Sequence, residues 1–210
     1  MKILLSPAKK LDFNKEGNYI KETTPFFLDK SAELIKILKK KKIKEIGEMM
    51  KLSENLSSLN HDRFQNFDNV TNPHKEAFLV FNGEVYTGLD SETLTEKELI
   101  FATNSLRILS GLYGILKPGD IIQPYRLEMG TRLKFKKNKN LYDFWGDLIL
   151  EYLNKEEQEL IVNLASNEYN KVAKLKTIDA EVITPNFKEF KNGQYKTIMA
   201  VSYTHLTLPT

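Results

Sequence analysis

The chain has no cysteine and only three histidines in 210 residues. Without thiols there is no disulfide, no thiolate nucleophile, no iron–sulfur ligation and no cysteine zinc site. His61, His74 and His205 stand far apart, so an imidazole metal cluster is not expected, and neither a resident metal nor a cofactor is anticipated. Any iron or redox role would then be indirect. No apolar run approaches the ~18 residues that a membrane span requires. The opening MKILLSPAKK carries too short an apolar stretch for a secretory signal before Ser6-Pro7 turns the chain. The expectation is a cytoplasmic protein with no membrane partner. A Walker-type phosphate loop is absent too.

What is present suits a packed core. Hydrophobic residues make up 41% of the chain, with 12 Phe and 9 Tyr, enough apolar area for one globular domain. The net charge of +3 is small, but its distribution is uneven. Between Phe101 and Asn140, eight basic residues (Arg107, Lys117, Arg126, Arg132, Lys134, Lys136, Lys137, Lys139) face Asp120 and Glu128. A second run, KILKKKKIKE from Lys36 to Glu45, sets six lysines against one glutamate. Two such patches on a near-neutral background match the footprint of a polyanion partner, and each taken alone also matches a solvated helix face.

MKILL reads as a buried strand, and IVNLAS and AEVITP as two more. Helical spacing predicts a helix from about Pro25, a second through Ile43, Ile46, Met49 and Met50, and a third through Leu52, Leu56 and Leu59. Ser53 is its candidate N-cap. Ala77 to Tyr86 reads as two strands or a strand and turn. Leu94 to Ser110 reads as a helix stopped by Gly111, and Leu141 to Leu153 as an amphipathic helix carrying Trp145. Helices and strands mix without a strict βαβ rhythm, so the expected fold is α+β: a single domain, a mixed sheet flanked by helices. Its expected extent is residues 1–200. Val201 to Thr210, VSYTHLTLPT, lacks a periodic partner and is read as non-native read-through on a truncated frame.

Several polar stretches follow apolar elements, where sites commonly sit. SPAKKLD offers Lys9 and Asp12. PYRLEMG offers Tyr125, with Arg126 and Glu128 on one side if the chain is extended. There an internal ion pair and a ligand role stand equally open. NLASNEY offers Ser166 and Glu168, with no histidine nearby to activate the serine. Gly111 and Gly114 in GLYG read as a turn that brings backbone close to something. Around Lys51-Leu52-Ser53 two helices would meet in a hairpin, a partial match to the helix-hairpin-helix that presents helix amides to DNA phosphates. Its usual glycines are replaced by Lys51 and Ser53, side chains able to donate to phosphate themselves.

SPAKKLD, KLSENLSSLN with Arg63, FNGEVYTGL, LRILSGLYGILKPGDIIQPYRLEMG, LYDFWGD and NLASNEY, in this order, closely resemble the peroxide stress resistance protein YaaA family. The resemblance covers Met1 to about Ala200. Members of that family continue for several dozen residues beyond the position of Met199, starting with a basic segment that this chain lacks. The resemblance implies a cytosolic bacterial protein that protects against hydrogen peroxide, limits free iron and binds duplex or branched DNA without strong sequence preference. The candidate DNA contacts are Lys9, Lys44, Lys51, Ser53, Arg63, Arg107, Gly111, Gly114, Arg126, Arg132 and Lys134. The alternative is an enzyme acting on a nucleotide or damaged base, with Lys9, Asp12, Glu128, Ser166 and Glu168 as candidate catalytic groups. A small-molecule ligand stays open in that reading.

Overall fold

A computed structural model describes residues 1–17, 21–191 and 193–197 of the chain. In chain order the elements are β1 (Lys2–Leu5), β2 (Lys10–Leu11), α1 (Leu28–Leu38), α2 (Ile43–Met50), α3 (Glu54–Gln65), β3 (Lys75–Glu76), α4 (Ala77–Val80), β4 (Phe81–Asn82), α5 (Glu84–Leu89) and α6 (Glu96–Ser105). There follow β5 (Leu106–Ser110), β6 (Gly114–Leu116), β7 (Ile121–Ile122), α7 (Leu141–Trp145), α8 (Leu148–Lys155), β8 (Leu160–Asn163), α9 (Asn167–Ala173), β9 (Glu181–Ile183), β10 (Lys188–Lys191) and β11 (Gln194–Thr197). The expected junction at Val201 lies outside the described residues.

The sheet is mixed, as the α+β reading expects, with strand order β6-β5-β1-β8-β9. Its parallel part is the larger: β1 pairs in parallel with β5 and with β8, and β8 with β9, while β6 alone runs antiparallel, against β5. Strands buried on both faces read as nearly continuous apolar runs, which is what KILL, LRILS and LIVN are. Their side chains join one hydrophobic core in which Trp145, Phe64, Phe78 and Phe81 are almost wholly enclosed. The chain leaves β1 for β5 on one side, and leaves β8 for β9 on the other. Diverging connections of this kind open a crevice at the carboxyl ends of the two strands between them.

Three of the expected elements are corrected. Leu94 to Ser110 is not one helix: Thr95 caps α6 through the backbone of Glu98, the helix ends at Ser105, and Leu106–Ser110 becomes a strand in register with β1. The parallel pairing of Ile3 with Leu106 overrides helical spacing. Leu141 to Leu153 is split into α7 and α8 by Gly146, whose φ of 51° no helix accommodates. Ala77 to Tyr86 carries only the two-residue β4, between the short α4 and α5.

The turn of GLYG answers what its glycines approach. A Cβ on Gly111 would stand 2.2 Å from the carbonyl oxygen of Leu127, so the backbone of PYRLE lies directly against this residue. The Gly111 carbonyl also accepts a hydrogen bond of 3.1 Å from Trp145 Nε1. Gly114, at φ 73°, faces the Trp145 ring, where a Cβ would come within 2.7 Å. Gly111→Ala therefore has backbone, not a movable side chain, to displace. The expected loss is about 3 kcal/mol, read as a lowered urea midpoint; an unchanged midpoint would contradict this packing.

Candidate functional site

Five segments distant in sequence line one cleft of about 1140 Å³: residues 6–10 after β1, 82–86, 125–128, 163–169 from the end of β8 into α9, and 184–187 after β9. Three of them leave the carboxyl ends of parallel strands, where the reversal of winding opens the crevice. Ser6 ties two of these ends together. Its hydroxyl accepts from the Ser166 amide at 2.8 Å and its carbonyl from the Tyr86 hydroxyl at 2.8 Å. Asn163 holds the next turn, accepting from the Ala165 amide at 3.1 Å and donating to Thr184 Oγ1 at 3.3 Å.

Beneath the opening lie Tyr86, Tyr125 and Tyr169, each buried. Tyr125 shares a 2.7 Å hydrogen bond with Ser110 Oγ. Desolvation pushes the phenols of Tyr86 and Tyr169 well above the usual tyrosine value, and that of Tyr125 upward as well.

Across the rim runs a three-member charge array. Glu128 Oε1 accepts from Arg126 Nη2 at 2.9 Å and from Nε at 3.2 Å, and Glu128 Oε2 lies 3.2 Å from Lys9 Nζ. Arg126 and Glu128 are mostly enclosed, whereas the Lys9 side chain is 67% exposed. Glu168 supports this array indirectly: its Oε1 accepts from the Gly130 amide at 2.7 Å and so fixes the turn that follows Glu128. Arg63 reaches the neighbourhood from α3, bonded to Asn60 Oδ1 at 3.3 Å. Desolvation first, and then the charge of Arg126, lower the pKa of its guanidinium.

A family model described as peroxide stress protein YaaA matches residues 1–203. The chain belongs to this family. It is 50% identical over 204 residues to a UPF0246 protein of Shewanella halifaxensis, a match covering 94% of this chain and 79% of that protein. A UPF0246 protein of Idiomarina loihiensis is 46% identical over the same shares, and one of Flavobacterium psychrophilum 48% over 94% and 80%.

In this YaaA-family chain the cleft unites Lys9, Arg126, Glu128, Ser166 and Glu168. Asp12 stands apart, beyond β2, where its carboxylate accepts from the Asn14 amide at 3.0 Å. Arg107, Gly111 and Gly114 are enclosed. Arg107 is 3% exposed and binds Glu156 through Nε at 2.8 Å, which leaves it no face for a phosphate. The other basic candidates lie on a different surface. Arg132 and Lys134 line a groove of about 330 Å³ with Lys41, Glu45, Glu48 and Met49 of the α2 region, so the two basic runs of the sequence meet there. Lys44 projects beside it, 4.0 Å from Glu48. Lys51 closes α2 in a left-handed conformation (φ 54°), and Ser53 opens α3. Among the described residues no three His, Asp or Glu are grouped to hold a metal ion, and no helix is long and apolar enough to cross a membrane.

Sequence reasoning missed Ser6, Tyr86 and Asn163 as individual site residues. A signal existed for two of them, since Ser6 follows a strand and Asn163 ends one. Tyr86 was hidden by the reading of FNGEVY as strand.

Two outcomes follow. Arg126→Ala and Glu128→Ala should couple in a double-mutant cycle of unfolding free energies by about 1 kcal/mol, and strict additivity would show the pair to be idle. The buried phenols act at alkaline pH. Their folded pKa lies above the unfolded value of roughly 10, so their contribution is intact below pH ~10 and lost as pH rises past it. The thermal midpoint should fall above that pH, with the last step of phenolate absorbance at 295 nm accompanying unfolding; the full nine-tyrosine phenolate signal reached in folded protein would refute the burial.

Proposed function

We propose that this chain acts in the cytoplasmic peroxide response by binding duplex or branched DNA without strong sequence preference, and that it thereby helps to limit free-iron-driven damage. The observation that carries this reading is the meeting of the two basic runs. Lys41 from one, and Arg132 and Lys134 from the other, line a single groove together with Glu45 and Glu48, Lys44 projects beside it, and the α2–α3 hairpin with its exposed Lys51 stands at the end of α2. Concentrated cations along a groove supply the sequence-independent part of DNA affinity by releasing counterions from phosphates. The hairpin adds orientation. Lys51 takes the left-handed position, Leu52 donates its amide to the Gly47 carbonyl at 3.0 Å, and Ser53 starts α3 with an extended backbone. Gly47 lets the helices close, since a Cβ there would meet Ser57 Oγ at 2.6 Å.

The enzyme reading rests on a separate observation, the charge array of Lys9, Arg126 and Glu128 at the strand ends. The two readings rest on different surfaces, and Lys9 and Arg126, DNA-contact candidates in the sequence, lie in the cleft.

Fluorescence anisotropy with two unrelated duplexes at several salt concentrations tests the DNA reading. Affinity should fall with salt by about 0.9 log units per log unit of salt for each phosphate neutralised. Lys51→Glu should weaken both duplexes alike and reduce that slope by about one phosphate's worth. Salt-independent binding, or a Lys51→Glu protein that binds as wild type at low salt, would remove this face from the interface.

A further inference from the structure

Building on the DNA-binding reading above, we propose that the cleft receives an abasic deoxyribose of bound DNA and that Lys9 condenses with its aldehyde. The site has an amine beside an anchored carboxylate. Glu128 is held by two hydrogen bonds to Arg126, while Lys9, 67% exposed, is the partner free to swing into the opening. That pairing is the chemistry of carbonyl condensation, in which the amine adds and the carboxylate handles protons.

The surroundings favour a sugar over an intact base. Of the aromatic side chains that line the cleft, Tyr86, Tyr125 and Tyr169 are enclosed and offer no stacking face, and only Phe187 is partly open. Stacking between aromatic walls is what holds an extruded base elsewhere. A phosphate seat lies at the rim. Arg126 spends Nε and Nη2 on Glu128, which turns its Nη1 edge away from that carboxylate, and Arg63 comes alongside from α3. Desolvation first, and then the charge of Arg126, lower the Arg63 pKa, so the two guanidiniums lie within electrostatic reach of each other and a phosphate between them would be met by both. Because α3 is the second helix of the hairpin, a strand held there leads toward the cleft.

The step balances without an oxidant. Once the Lys9 ammonium has given up a proton to water, its amine adds to the C1′ aldehyde of the ring-opened sugar, and the carbinolamine loses water to give the imine. Glu128 then removes a C2′ proton, a double bond forms between C2′ and C3′, and the C3′–O bond breaks with its electron pair leaving on the phosphate. Water hydrolyses the imine and returns Lys9. Radical attack by peroxide-derived oxidants on DNA produces abasic sites, so the substrate class matches the family's stress.

The test incubates the whole chain with a duplex bearing one abasic site and reduces the mixture with borohydride, which fixes the imine as a stable amine. The expected result is a covalent adduct mapped by mass spectrometry to Lys9 and lost in Lys9→Arg, which keeps the charge facing Glu128. Lys97→Arg, exposed on α6 and lining neither the cleft nor the basic groove, should retain it. Glu128→Gln should still be trapped but lose strand scission. Adducts confined to Lys41, Lys44 or Lys51, or an adduct undiminished in Lys9→Arg, would overturn the condensation, and undiminished scission by Glu128→Gln would overturn its role as base. Normal binding of intact duplex alongside either failure leaves the DNA reading standing, whereas absence of intact-duplex binding by the wild type sinks both.

Discussion

The approach of Leu127 to Gly111, backbone against backbone, is the constraint on which the rest of this molecule depends. Where β5 turns into β6, the missing side chain lets residues 125–128 lie flat across the end of the sheet, and Trp145 secures the turn from the other side. Laid there, the extended PYRLE segment points Arg126 and Glu128 toward the end of β1, where Lys9 waits. A bulkier turn would lift that segment and separate the charge array from the strand ends. Catalytic or binding geometry is here a by-product of close backbone packing, as is common where a site sits on loops carried by a rigid sheet.

The two charged surfaces have different physical characters. Around α2, Lys44 and Lys51 stand in water, where single ion pairs are worth little and fields add over many charges. In the cleft, Arg126 and Glu128 are mostly withdrawn from solvent, so their interaction is short, directional and less screened by salt. The first surface suits loose electrostatic capture, and the second suits discrimination of one chemical group. Arg63, on α3, lies within electrostatic reach of Arg126.

Much of this was legible in the sequence, for reasons that can be named. The first two helices show through the period of Leu34, Ile35, Leu38, Ile46 and Met50, all of which turn inward, whereas Leu56 and Leu59, which marked the third, face solvent and α3 buries Ser57, Asn60 and Phe64 instead. The central strands show as short apolar runs that end in polar turns, and those turns are the cleft. That Arg126 and Glu128 share a side was readable from their spacing, while their ion pair was one of two readings left open. The failures share a cause, which is contact between residues far apart in the chain. LRILS continues a helical pattern until β1 claims it. Arg107 counts as a surface cation in any charge sum, and only the fold reveals that Glu156 encloses it. That Lys9 meets Glu128 has no local signature.

The topology also sets an order of events in folding. β1 is the first strand of the chain and the middle of the finished sheet, and the partners of Ile3 are Leu106 on one side and Val162 on the other. A strand that must wait for such distant partners incurs a large loop-closure cost before any ladder bond rewards it. During synthesis KILL therefore stays unpaired until β5 has emerged, and unflanked on its other edge until β8 has, so the strand that ends in the middle of the sheet waits through most of the chain for its partners. The lysines at positions 9 and 10, and those from 36 to 44, lie near this waiting strand in sequence, where like charges discourage one nascent chain from pairing with another.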